Sequence, residues 1–278
     1  MLKNKRVIEM IKHDDGYGVR FEAMASPCEV IIQTSDKHTA NQVGQCVSAE
    51  VWRIEDKYSR YDPLSVCSKI NRSEGKSFSI DEETLLLLNF AEQCYQLSDG
   101  LFDITSGALR KVWTFDSTSA ECKDFPSQDE INHVLNSIGW HKITYDQHSI
   151  TLRPGMQLDF GGLGKEYAVD RSILLAKQLT DEPLLVNFGG DLAVNGPRHD
   201  NQPWQVAIEH PDNQSFDHKQ DMIIAIQQGA LATSGDARRF LIKGGVRYGH
   251  VMNAITGWPI LEAPRSITVA APHCIQAG

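Results

Sequence analysis

The clearest hydrophobic rhythm in the chain lies between Asp36 and Tyr58, where Val43, Val47, Val51, Ile54 and Tyr58 recur at helical spacing. That stripe predicts a long amphipathic helix, with Asp36 as N-cap and the stripe turned to the core. An extended segment from Val19 to Thr34 precedes it. A second helix is predicted from Glu82 to Leu97, capped by Asp81 and stopped near Gly100. Ser127-Gln128-Asp129-Glu130 matches a capping box and opens a short helix toward Ser137. Lys142–Tyr145 and Ser149–Arg153 alternate around Asp146-Gln147-His148, the pattern of a hairpin. A further helix is predicted over Leu163–Leu179. The remainder is strand-rich: Leu184–Phe188, Trp204–Glu209, Met222–Gln227, Val246–Met252 and Ser266–Ala271. Helices concentrated early and strands late point to an α+β fold. Asp116 to Asp129 and His210 to Asp221 are polar and aperiodic and read as surface segments. A subdomain break, if there is one, is expected near Pro154-Gly155.

Composition narrows the class. A chain of 278 residues with 41% hydrophobic and 23% charged residues is long enough for a substantial core. The net charge of −9 argues against nonspecific binding to nucleic acid or anionic membranes, and leaves room for a local positive pocket for an anionic dinucleotide. The longest apolar runs, such as Leu85 to Leu88, are too short to span a bilayer. The first residues carry basic charge without an apolar core of signal-peptide length, so a cytoplasmic chain, or one whose leader preceded Met1, is expected. The six cysteines have neither paired nor metal-type spacing and read as reduced packing residues.

The chemistry begins at Leu158-Asp159-Phe160-Gly161-Gly162-Leu163-Gly164-Lys165-Glu166-Tyr167, a strand end, a glycine-rich turn and a helix start. Glycines let backbone approach a ligand, and a helix N-terminus with a lysine suits a phosphate or pyrophosphate. A tight turn without any ligand fits the same residues. Glu166 after Lys165 excludes a Walker loop, and the glycine spacing excludes a dinucleotide fingerprint. Further on, Val186-Asn187-Phe188-Gly189-Gly190-Asp191, Ala230 to Asp236, and Gly249-His250 to Gly257 each deliver Gly, Ser, Thr, Asn, Asp or His from a strand end to a loop, as ligand sites commonly do.

In this order, these blocks resemble the ApbE-type FAD:protein FMN transferases. The resemblance also takes in Phe21 to Ser26, Ser59-Arg60-Tyr61 through Asn71, Gly100-Leu101-Phe102-Asp103-Ile104-Thr105 with Trp113 downstream, and Ser266-Ile267-Thr268-Val269-Ala270. It implies mixed and antiparallel sheets with helices, in two intimately packed subdomains around a flavin cleft. It also implies FAD as substrate, a divalent metal, usually magnesium, and transfer of FMN to a Thr or Ser hydroxyl of a target flavoprotein with release of AMP. Carried over by position, Met24, Tyr61, Leu101, Phe102, Asp103, Asp159, Lys165 and Met252 would line the FAD site. His250 would be the general base, reasonable for a group whose unperturbed pKa is about 6.5. The Gly162 carbonyl and position 278 would serve the metal. Tyr61 as a core aromatic, or Lys165 in a structural ion pair with Asp170 or Asp159, fits the same residues.

The departures bear on the metal. The family has a glycine where Glu166 stands, a tyrosine at Ala237, an Asp-Pro pair at Asn253-Ala254, and a metal-binding Asp at Gly278, with a threonine ligand beyond it. Cys274 to Gly278 reads as a helix start cut short. Either another acid substitutes, the metal is held mainly through the phosphates, or transfer is lost while flavin binding persists. An FAD pyrophosphatase, with water as acceptor, is a third reading.

Overall fold

The computed structural model describes residues 6–115, 125–209, 222–235 and 240–278. The polar segment Asp116 to Asp129 lies largely outside them, as do His210 to Asp221, Asp236 and Ala237 to Arg239.

The chain forms two compact units. One takes the residues up to Lys57, then Gly162–Ser234 and Ser266–Gly278; the other takes Tyr58–Gly161 and Gly235–Arg265.

The first unit is built on a seven-stranded sheet. Its strands are β1 (Glu9–His13), β2 (Gly16–Ala23), β3 (Ser26–Ile32), β7 (Leu184–Phe188), β8 (Asp191–Val194), β11 (Gly229–Gly235) and β14 (Ser266–Ala271), in that spatial order. β3 pairs antiparallel with β7, placing Cys28 opposite Phe188 and Ile32 opposite Leu184. A separate ribbon joins β9 (Trp204–Ile208) to β10 (Met222–Ile226). Helix α1 (Lys37–Tyr58) starts at Asp36, whose carboxylate accepts the N–H groups of His38 and Thr39. Its predicted stripe is buried: Val43, Val47, Val51 and Ile54 are all at 0% exposure. Gly44 makes the helix's close approach to the sheet possible, since a Cβ there would lie 2.5 Å from Val19 Cγ1. Helix α5 (Gly164–Ala176) packs on β7 and β8, and the short α6 (Cys274–Ala277) packs on α5. The helix expected to run to Leu179 stops earlier, because Gln178 and Leu179 donate to Leu175 and Ala176 in tighter turns.

The second unit holds α2 (Val66–Asn71), α3 (Glu82–Leu97) and α4 (Gln128–Leu135) with small sheets. Asp81 caps α3 through the N–H of Thr84, and Ser127 and Glu130 cap α4 reciprocally. A three-stranded sheet has the order β4 (Phe78–Ser79), β6 (Ser149–Thr151), β5 (Thr144–Tyr145), and includes the hairpin read from the sequence. β12 (Phe240–Lys243) pairs with β13 (Val246–Gly249). The strand expected to reach Met252 ends at Gly249, where the chain turns into a loop. Trp113, Ile131, Val134, Ile138 and Leu241 centre this unit's core, and a 3-10 turn at Ile104–Lys111 contributes Ala108 and Leu109.

Candidate functional site

The residues singled out from the sequence fall on both units. Met24, Gly162, Lys165 and Gly278 belong to the sheet unit. Tyr61, Leu101, Phe102, Asp103, Asp159, His250 and Met252 belong to the other.

In the sheet unit, the glycine turn leads into α5 with no side-chain cap on the helix N-terminus. Its dipole, and the first-turn N–H groups other than that of Glu166, which its own carboxyl accepts, would suit an anion. Lys165 stands in the first turn, but its Nζ pairs with Asp191 Oδ2 at 2.7 Å. The sequence reading offered Asp170 or Asp159 as structural partners; the partner is Asp191, at the start of β8. Asp170 is engaged elsewhere, accepting the N–H groups of Cys274 at 2.8 Å and Ile275 at 3.0 Å. Asp191 is 2% exposed and its Oδ1 also takes the Thr233 N–H at 3.1 Å.

Glu166 faces this group of acids. Burial, and then the Asp191 charge, push its carboxyl up to about 7, while Lys165 pulls the other way. The Cys274 thiol is raised as well, first by burial and then by the Asp191, Asp170 and Glu166 charges. The surroundings of the helix start are thus rich in negative charge. Gly278 sits against Glu166, and a Cβ built on it would lie 2.6 Å from Glu166 Cγ.

Met24 occupies the tip of the β2–β3 hairpin. It and Ala25 adopt φ of 51° and 55°, unusual for residues with side chains. Helix α1 holds the tip: Glu55 Oε1 accepts the Met24 N–H at 2.6 Å and Trp52 Nε1 donates to Glu22 O at 2.9 Å. Across the sheet, Gly189 approaches the same hairpin, with an added Cβ 2.8 Å from the Ser26 side chain.

In the second unit, Asp159 is tied to the Gly100–Leu109 block. Its N–H donates to Ile104 O at 2.8 Å, and a Cβ on Gly107 would lie 2.6 Å from its own Cβ. Its carboxylate pairs with Arg60 and accepts the Gly161 N–H at 2.9 Å. Arg60 also lies over the Tyr61 ring at 4.9 Å and donates to the Tyr61 hydroxyl at 2.8 Å. Tyr61 is 73% exposed, so it is no core aromatic. Leu101 is exposed too, and Phe102 donates its N–H to Ser98 Oγ at 2.9 Å. Asp103 is buried with both oxygens engaged: Oδ1 by Thr105 N–H and Oγ1, Oδ2 by the Trp140 N–H. Its contribution here is to cap the 3-10 turn.

His250 stands half-buried where the chain leaves β13. The loop after it is organised by Asn253, whose Oδ1 accepts the N–H groups of Ile255 at 2.9 Å and Thr256 at 3.0 Å. Trp113 Nε1 donates to Gly257 O at 2.8 Å, tying the loop to the core. Met252 bridges to Pro259 and packs against the Trp113 cluster.

Arg60, Glu55 and Asp191 drew no role from the sequence. Asp191 had a signal, an acid after two glycines at a buried strand; Arg60 had one in its place beside an aromatic. Glu55 looked like any charge on an exposed helix face.

A profile of the ApbE family matches residues 24–278. The chain belongs to the ApbE family. Among its relatives, the FAD:protein FMN transferase of Vibrio cholerae is 29% identical over 81% of this chain and 67% of its own length. The FAD:protein FMN transferase of Haemophilus influenzae is 26% identical over 86% of this chain and 70% of its own. The crystal structure of the ApbE protein from Thermotoga maritima has the same fold, with a TM-score of 0.81 and 28% identity, over 98% of this chain and 84% of that one. The mixed α and β architecture is thus that of ApbE proteins. No helix among the described residues is long and apolar enough to cross a membrane.

Proposed function

We propose that this chain transfers FMN from FAD to a threonine or serine hydroxyl of a target flavoprotein, with release of AMP, and that it uses a divalent cation, magnesium being the first choice. The single observation that carries this reading is the uncapped N-terminus of α5 beside Lys165, in a chain of the ApbE family. A helix N-terminus attracts the pyrophosphate. The acids around it would repel the same group, and a cation on the phosphates reconciles the two.

The donor set fits a hard cation. Glu166 Oε2 is buried without a hydrogen-bond partner, and the carbonyl of Gly162 belongs to an exposed turn just before the helix. Magnesium commonly takes few protein oxygens and shares the substrate's phosphates. No group of three His, Cys, Asp or Glu side chains suited to a metal occurs among the described residues. When bound, the cation neutralises charge on the pyrophosphate.

In the reaction, the acceptor hydroxyl oxygen bonds to the FMN-side phosphorus as the bond from that phosphorus to the bridging oxygen breaks. His250 takes the hydroxyl proton, and AMP departs with the bridging oxygen. Lys165 and the α5 N–H groups hold the phosphates, Met24 from the sheet unit and Tyr61, Leu101, Phe102, Asp159 and Met252 from the other unit contact FAD, and Asp103 caps the 3-10 turn that follows Leu101 and Phe102.

The test is FAD titration by fluorescence with and without magnesium, followed by assay of the same sample for AMP and of a supplied flavoprotein for bound flavin. Magnesium-dependent AMP with a flavinylated target supports transfer. AMP with free FMN identifies a pyrophosphatase, and tight binding without AMP identifies a flavin carrier.

A further inference from the structure

Three carboxylates surround the start of α5, and two are satisfied by the protein. Asp170 accepts a backbone N–H on each oxygen, from Cys274 and Ile275. Asp191 takes the Thr233 N–H on Oδ1 and Lys165 on Oδ2. Glu166 is the exception: its Oε2, like Asp191 Oδ2, is buried without a hydrogen bond, but where Asp191 has the Lys165 ion pair Glu166 has none among the described residues. A buried carboxylate oxygen without a donor is costly, the more so among like charges. A cation supplies what is missing.

Glu166 is also coupled to the residue at 278. A Cβ on Gly278 would meet Glu166 Cγ at 2.6 Å, Oε1 at 2.9 Å and Cδ at 3.0 Å. The glutamate therefore fills the space into which a side chain at 278 would grow. A long acid at 166 and a short acid at 278 would bring a carboxylate to the same place, and the two cannot both be present without repacking.

We propose that Glu166 is the carboxylate with which this chain holds the divalent cation on the substrate's pyrophosphate, in the space that a side chain at position 278 would otherwise take. This rests on the FAD reading above. It makes Glu166 and Gly278 one exchange: the acid has moved from one position to the other, and the site keeps its charge.

The experiment uses the intact chain loaded with FAD in metal-free buffer, with loading scored by flavin fluorescence, and then titrated with Mn2+ while free Mn2+ is read by its paramagnetic resonance. The parent should bind Mn2+ in an FAD-dependent way. Glu166→Gln should keep FAD and weaken Mn2+ by about tenfold or more. Glu166→Gly with Gly278→Asp should recover most of that affinity, while Gly278→Asp alone should melt at lower temperature than the parent. Unchanged Mn2+ affinity in Glu166→Gln overturns the inference, as does a folded double variant that loads FAD and does not bind Mn2+. FAD-loaded parent that ignores Mn2+ overturns it while leaving the FAD reading intact. Failure of the parent to load FAD overturns that reading and this inference together.

Discussion

Lys165 Nζ stands 2.7 Å from Asp191 Oδ2, an ion pair in which the lysine side chain is 24% exposed and the aspartate 2%. Such a pair adds little stability over an apolar one, but breaking it from one side strands a buried charge. Lys165→Met should lower the unfolding free energy by on the order of 3 kcal/mol, read from urea denaturation. A midpoint equal to the parent's would mean that Asp191 finds another partner.

Glu166 makes stability depend on pH. Its folded value of about 7 lies above its ordinary 4.5. Between those values the folded chain keeps a proton that the unfolded chain has released, so stability falls as pH rises through the window. The full cost, on the order of 3 kcal/mol, is reached above neutrality. Below the lower value the effect vanishes. In metal-free buffer, Glu166→Gln should gain melting temperature relative to the parent between pH 5 and pH 8; parallel curves would refute the shift.

Tyr61 separates binding from folding. It is exposed, and its ring contacts Arg60. Tyr61→Ala should leave stability within about 0.5 kcal/mol of the parent and weaken FAD binding in a fluorescence titration. Unchanged FAD affinity would remove Tyr61 from the binding surface.

The loop after His250 asks for an acceptor, not for a charge. Asn253 Oδ1 receives two N–H groups, a task a carboxylate oxygen performs equally well. Asn253→Asp should fold and transfer FMN much as the parent does. Asn253→Ala should cost about 1 kcal/mol, as loss of a capping side chain does, and slow transfer. Stability and transfer rate measured on both variants decide it, and equal losses in the two would show that the amide nitrogen matters.

His250→Ala should bind FAD normally and transfer FMN about 10²-fold to 10⁴-fold more slowly, the range expected for loss of a general base. Single-turnover assays give the rate, and a parental rate would assign the proton elsewhere.

Local signals in the sequence foretold local structure. The stripe of α1, the caps of α3 and α4, and the Asp146 hairpin each depend on residues within a turn or two of one another. The sheet does not. Nothing near Cys28 announces Phe188 as its neighbour, and β8 is buried along its whole length, which removes the alternation that would mark it as a strand. The same limit applied to the candidate site. The glycine turn placed Lys165 at the helix start, but its partner Asp191 is brought there by the β7–β8 hairpin. The exchange between Glu166 and Gly278 showed in the sequence only as two separate departures; packing of α6 on α5 makes them one.

The hairpin tip at Met24 and Ala25 has a consequence for how this chain can drift. Both residues sit in left-handed backbone, and neither is glycine. Left-handed backbone penalises branching at Cβ most heavily. Valine, isoleucine and threonine are therefore barred from both positions, while glycine and asparagine are admitted on conformational grounds. Relatives that keep this tip should thus vary through a narrow, unbranched alphabet there, whatever the side chain at 24 touches.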